Sequence, residues 1–359
     1  MNEPVKILEQ ASPAGNLWAL VERFDQVVVF YLFGGEQSPF GLKVCWVRNL
    51  GPAPADLDRA AMRDGRPPML PAPYCRHPGG APAPDPASLR VLWFEEGDSA
   101  ALFENDDVLA VIPPWSGVEG CNGYARDCTT KNALCWPLDE AGALQERIRR
   151  AEAFWQSWDP DPWPQIHTAL RAPLEAALGP AGSYYAIHGG NWPPRALGRF
   201  TPADGVAAFV TVGASIRPQP QVEMNVEDPE NYRRIELGVA IDAALLGNGD
   251  DVPRLMSALS SLPWAQFSWI GPGHTVAGVP FPVGPMGTRF EAVLFLEDPP
   301  AAPPIALPSY RGDPVKLLWV VPITLAEQKL AQDAGSEVLV ASLRLAGVTW
   351  THRDRRPVA

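Results

Sequence analysis

The loop Trp269-Ile-Gly-Pro-Gly-His274-Thr275 presents an imidazole beside an indole, and the chain also holds Glu236 and Ser215. Together these are the residue types of a hydrolytic triad: a hydroxyl to attack, an imidazole to take its proton and a carboxylate to orient the ring. The pattern fails where it needs to be specific. An exposed nucleophile on a strand-to-helix elbow reads Gly-x-Ser-x-Gly, and Gly213-Ala-Ser215-Ile-Arg217 ends in arginine. Arg234 and Glu236 alternate along an apolar run, which puts them on one strand face about 7 Å apart. There they grip a ligand carboxylate or pair with each other, and a structural ion pair is the commoner outcome. A lone histidine near aromatics is, likewise, more often a hydrogen-bonded core residue than a base. A glycine-rich loop is nevertheless where binding residues concentrate. The expected surface is therefore His274, Thr275 and Trp269, with Arg234, Glu236 and Ser215 as further partner contacts. A hydrolase using His274, Glu236 and Ser215 is the alternative, and a small-molecule regulator is a third reading.

Cys121, Cys128 and Cys135 recur every seven residues. On a helix they would stack three thiols, but Gly123 and the β-prone surroundings argue against a helix there. Structural zinc sites space their ligands two to four residues apart, and His77 is the only histidine upstream of the trio. Buried free thiols are expected and no metal. No Walker loop, GxGxxG, HExxH or CxxC occurs, so no cofactor is expected. Lys+Arg 29 against Asp+Glu 41 leaves a net charge of −12, which disfavours nucleic acid. The longest apolar run considered, Val27–Phe33, is far short of the ~20 residues of a membrane span. The chain opens without a basic stretch and apolar run, and its five cysteines form an odd set. A cytoplasmic location is the expectation.

The elements that must position these residues follow from periodicity. Val27–Phe33, Leu42–Arg48, Arg90–Phe94, Ala101–Phe103 and Val108–Ile112 predict strands, with a turn at residues 105–107. Ten prolines between Gly51 and Pro86 predict a surface loop, with the proline-rich stretch reaching about residue 88. Helices are expected from Asp139 to about Trp158, with Arg147, Arg149 and Arg150 facing outward, and from Gln165 to Leu178. Asp159-Pro-Asp-Pro-Trp-Pro164 separates them and predicts a boundary between a first domain at 1–160 and a second at 165–359. In the second half, Ala207–Val212, Ile235–Ile241, Ala292–Leu296 and Val315–Val321 predict covered strands. Asp250–Leu262 predicts a helix between them. Thr324-Leu-Ala-Glu327 predicts a capping box opening a helix that ends at Gly335, with another from Ser336 to Gly347. The fold class is α/β (α+β), mixed sheets flanked by helices in two domains. Trp155, Trp158, Trp163 and Trp192 cluster around the boundary, where indoles serve as core or line a cleft for a partner's segment.

One order of motifs is more informative than any single piece. Phe209-Val-Thr-Val-Gly213-Ala-Ser215, Tyr232-Arg-Arg-Ile-Glu236-Leu, Gly273-His274-Thr275, Ala292–Leu296, and Val315–Val321 running into Pro322-Ile-Thr324 occur in this sequence order. Over roughly residues 174–345 this resembles the suppressor-of-fused family. The resemblance implies a protein-binding module without catalysis. Animal members clamp an extended peptide between two domains, and bacterial members are associated with toxin–immunity loci. Two departures stand out: Gly273 occupies the place of an acidic residue that precedes the animal histidine, and Ser261 falls near an animal peptide-binding tyrosine. An immunity protein or regulator is thus expected, and the net charge suits a basic toxin domain or regulatory protein bound through an extended segment.

Overall fold

Runs of β-branched and aromatic residues build two sheets in the first half of the chain. The computed structural model describes residues 3–359 except 37, 141, 204, 247–250, 266–268 and 282–288, and the chain divides into two units, 1–160 and 161–359. In the first unit β1 (Val5–Ala11), β2 (Leu17–Arg23), β3 (Val27–Gly34) and β4 (Leu42–Asn49) form an antiparallel meander. A second sheet comprises β5 (Leu89–Trp93), β6 (Ala100–Glu104), β7 (Asp107–Ile112), β8 (Tyr124–Ala125) and β9 (Trp136–Pro137). Asn105, at the expected hairpin turn between β6 and β7, adopts φ 55°, a left-handed conformation that asparagine tolerates. One core joins both sheets through Phe30, Leu32, Trp46, Leu102 and Ile112. The other face of the second sheet packs Leu92, Phe103 and Val111 against Leu144, Ile148 and Ala151 of α2 (Gly142–Gln156).

Two expectations for this unit are corrected, and two strands stand outside the sequence reading. Strands β1 and β2 escape the periodicity reading, and β1 is mostly exposed, so it has no clear alternation. The proline-rich stretch is partly packed. It carries α1 (Arg59–Arg63), capped by Asp58, and the Asn49 side chain both donates to Leu70 O at 2.8 Å and accepts from Leu70 N at 3.0 Å, seating Leu70 in the core. Finally, Arg147 and Arg150 do not simply face water: they meet Glu96 at 3.5 Å and Glu95 at 3.3 Å, two buried acids in the β5–β6 turn.

The second unit begins with α3 (Trp163–Leu178), two residues earlier than expected, because Pro164 fits a first helical turn whose N–H groups have no partner anyway. Then follow β10 (Ser183–Ala186), β11 (Ala196–Ala203), β12 (Val206–Val212), β13 (Ile235–Asp242), α4 (Asp251–Leu259), β14 (Thr275–Ala277), β15 (Ala292–Leu296) and β16 (Lys316–Ile323). The chain ends with α5 (Leu325–Ala334), α6 (Ser336–Leu345) and β17 (Thr351–His352). These strands form a mixed sheet ordered β10-β11-β12-β13-β16-β15-β14, with β17 also on β13. Among the described residues of this sheet only the β13–β16 and β13–β17 pairs are parallel. Helix α4 stops at Leu259, short of the expected Leu262, and a 3₁₀ turn at Leu262–Trp264 follows; the expected first residue, Asp250, lies outside the described residues.

Period-two alternation along β13 sends Leu237, Val239 and Ile241 into a core with α4, while Leu170 and Leu174 of α3 cover the opposite face with Val210, Val212 and Trp319. A third cluster packs Leu294 and Ile323 against Leu339 and Leu343 of α6. Trp319 lies opposite Gly238, where a Cβ would come within 2.8 Å of the indole; only glycine allows that approach. The capping box forms as expected, Thr324 Oγ1 accepting from Glu327 N at 3.1 Å and Glu327 Oε2 from Thr324 N at 2.8 Å. The architecture is α+β.

Candidate functional site

Glu236 is wholly buried in β13, and its carboxylate gathers five donors from the end of β12 and the turn that follows it. Oε2 accepts from Thr211 Oγ1 at 2.6 Å and Ala214 N at 3.3 Å. Oε1 accepts from Gly213 N at 2.8 Å, Ser215 N at 3.1 Å and Ser215 Oγ at 2.7 Å. Three successive backbone N–H groups converging on one anion make a nest, and the left-handed φ of 103° at Gly213 turns them inward. Burial pushes the Glu236 carboxyl up, against the downward pull of Thr211, Ser215 and the nest N–H groups. Arg234, on the same strand face, holds the same turn by its carbonyls: Nη1 donates to Ser215 O at 3.0 Å and to Ile216 O at 2.7 Å. Its Nε donates to Asp313 Oδ2 at 2.9 Å. The two residues therefore pair elsewhere, not with each other.

The loop before β14 is built differently. Gln219 clamps it, Nε2 donating to Ile270 O at 2.9 Å and Oε1 accepting from Ile270 N at 2.8 Å, while its other bond reaches Tyr232 O at 2.8 Å. Above that clamp three half-exposed rings form a ladder. Tyr232 meets Trp269 edge-on at 5.6 Å and Trp269 meets His274 at 4.4 Å. His274 Nδ1 lies 3.1 Å from Trp269 O and 3.3 Å from Gly271 N. Lys316 Nζ sits 5.2 Å from the Tyr232 ring centre and 2.8 Å from Glu297. Lys316 and Glu297 also line a groove of about 390 Å³, walled by Pro303, Ile305, Leu307 and Trp319. Thr275, at the start of β14, accepts from Gln328 Nε2 at 3.4 Å. Among the described residues β14 pairs on one side only and ends the sheet.

The six expected site residues thus fall into two groups. Trp269, His274 and Thr275 lie together, half-exposed; Arg234, Glu236 and Ser215 lie together, buried. Ser215 and Glu236 are hydrogen-bonded, but among the described residues no hydrogen bond joins His274 to either, so the hydrolytic constellation is not assembled. Sequence reasoning missed Tyr232, Lys316 and Gln219. Tyr232 stood in a quoted motif, whereas the contact from Gln219 to Ile270 spans 51 residues and leaves no local signal. All five cysteines are free and buried in the first unit, and Cys121, Cys128 and Cys135 lie outside any helix. Asn132 Nδ2 lies 3.3 Å from Cys128 Sγ and 3.9 Å from Cys135 Sγ. Among the described residues no cluster of three or more His, Cys, Asp or Glu is arranged to hold a metal, and no helix is long and apolar enough to cross a membrane.

No curated protein sequence matches this chain. Among solved structures it is similar to a SUFU (suppressor of fused protein) homolog from Neisseria gonorrhoeae FA 1090, at 14% identity and a TM-score of 0.41, over 54% of this chain and 97% of that one. It is also similar to a chain of the Sufu–Fu complex, at 11% identity and a TM-score of 0.40, over 54% of this chain and 92% of that one. The family model described as suppressor of fused protein (SUFU) matches residues 193–357, the stretch that holds the buried turn, the aromatic ladder and the edge strand, and it is the family whose motif order the sequence displays.

Proposed function

We propose that this chain is a non-catalytic protein-binding module whose contact surface is the Tyr232–Trp269–His274 ladder with the adjoining edge of β14. The observation that carries the reading is the ladder itself: three half-exposed rings beside a strand that, among the described residues, pairs on one side only, within the residues that match the suppressor-of-fused model. Aromatic side chains anchor interfaces because they bury large area at small entropic cost, and a free edge offers backbone hydrogen bonds to an extended segment. Arg234, Glu236 and Ser215 act as positioning residues that fix β13 beneath this surface. The net charge of −12 favours a basic partner, in keeping with an immunity protein or a regulator that sequesters a cationic protein.

Selection from a displayed random-peptide library tests the reading. The wild-type chain should enrich extended sequences with apolar cores and flanking Lys or Arg. The double variant Trp269→Ala/His274→Ala should enrich none of them. Equal enrichment on both would remove the assignment of the surface. For the selected peptides, association should slow as salt rises, and a salt-independent on-rate would remove the electrostatic part.

A further inference from the structure

Helix α1 of the first unit ends in a turn that forms part of the wall of a cavity. Gly65, at φ 72°, lets its own N–H reach Met62 O at 3.1 Å and the Arg66 N–H reach Ala61 O at 2.9 Å. These are the two bonds of a Schellman ending, which fixes the chain leaving the helix. Asn49 holds Leu70 a few residues on, so Pro67 and Pro68 between them are tied at both ends. The same cavity is lined by one face of β3 and β4, where Tyr31 lies opposite Val44, and Leu42 and Trp46 keep the period of two. Its volume is about 300 Å³, at the lower end of the roughly 300–1,000 Å³ of ligand sites and about twice a ~150 Å³ void that holds benzene.

The chemistry of the walls limits what fits. Leu42 is 62% exposed and Met62 41% exposed, so apolar side chains at this cavity stand in water. Tyr31 Oη makes no hydrogen bond among the described residues, and burial together with the Glu22 charge pushes its ionisation up, so it stays a neutral donor. Asn122 Nδ2 donates to Ala133 O at 2.7 Å, which fixes the amide and leaves Oδ1 as an acceptor. Arg66 is the one charged residue among the described residues that line the cavity, and its Nη2 donates to Asp64 at 2.8 Å. An ammonium group finds no carboxylate in these walls, and a carboxylate competes with Asp64 for Arg66. A neutral ring bearing a hydroxyl meets both demands: the ring covers the apolar walls, and the hydroxyl accepts from Tyr31 or donates to Asn122.

We propose that this cavity is a binding site for a small neutral phenol. It lies outside residues 193–357 and does not depend on what the aromatic ladder binds. The test titrates the full chain into 4-fluorophenol and follows the fluorine resonance by NMR, with 4-fluorobenzylammonium and 4-fluorobenzoate as charged counterparts. The phenol should bind saturably in the millimolar range, and both ions at least ~10-fold more weakly. Tyr31→Phe, which removes one hydroxyl and keeps the ring, should weaken the phenol about fivefold. Met62→Trp, which fills space at an exposed helix position, should abolish binding, whereas Val338→Trp, at a comparably exposed site on α6, should leave it unchanged. A response that never saturates, an ion that binds as well as the phenol, or wild-type affinity in either Tyr31→Phe or Met62→Trp would overturn the proposal. The titration of the wild-type chain and the mild Tyr31→Phe change decide the matter even if Met62→Trp fails to fold.

Discussion

The turn at residues 213–216 and the loop at 269–274 are both tied to the second unit's sheet, by opposite means. The turn is held by formal charges that never meet water: Glu236 takes its N–H groups, and Arg234 takes its carbonyls. The loop is held by neutral groups, the Gln219 amide and the backbone bonds between Gly273, His274 and Phe295, and it leaves its rings half in solvent. Buried charge fixes a backbone at high cost if one partner is lost. Neutral clamping leaves the side chains above it free to serve another purpose. On the proposed reading, the charged residues of the turn support the fold, and the half-exposed rings on the clamped loop make the contact surface.

The largest effect that would sharpen this contrast is expected inside the turn. Glu236→Ala strips the acceptor from Thr211, Ser215 and the nest, and should cost about 4 kcal/mol by chemical denaturation. A loss under about 1 kcal/mol would mean the turn is held by something else and the contrast fails. Next in size is a buried imidazole to set against the surface one. Burial, with Arg355 adding to it, lowers His352 to about 4, and the ring is wedged between Phe281 and Phe290. Its folded pKa lies below the unfolded value near 6.5, so its contribution is intact above pH ~6.5 and is lost as pH falls toward 4, by about 3 kcal/mol. His352→Gln should flatten that part of the stability–pH curve; an unchanged slope would count against the burial argument.

Smaller again is Glu327→Gln. Glu327 is fully buried, closes the capping box and accepts from Arg355 Nη2 at 2.8 Å, so neutralising it should cost about 2 kcal/mol in urea unfolding. Desolvation pulls its carboxyl up, but Arg355 and the Thr324 and Val358 N–H groups outweigh that and hold it low. Its contribution is therefore present above the ordinary glutamate range and lost as pH falls through the lowered value. Trp269→Ala should be the mildest change to stability, about 1 kcal/mol, because its ring is half-exposed. A cost of several kcal/mol there would make Trp269 core and break the comparison from the other side.

Much of this arrangement is legible in the sequence, for identifiable reasons. The strands β12, β13, β15 and β16 declare themselves because both faces are covered, leaving unbroken apolar runs. The capping box declares itself because its two residues are three apart. Strands β10, β14 and β17 do not, being two to four residues long and set by their neighbours in space. At the site, the loop carrying Trp269 and His274 is found by its glycines, whereas the partners that give each charge its role are remote. Asp313 lies 79 residues from Arg234, and no local pattern connects them. The alternation that places Arg234 and Glu236 on one face is correct, but it cannot say that each would turn to the 213–216 turn rather than to a ligand.

The central claim is that the ladder recognises a partner while the charged turn only supports it. Calorimetric titration of a library-selected peptide into the wild-type chain and into Trp269→Ala tests this most directly, with urea unfolding of both as the control. The account predicts an affinity at least ~10-fold weaker in the variant, a loss of about 1.4 kcal/mol in binding, at nearly unchanged stability. Equal affinity in the two proteins would contradict it.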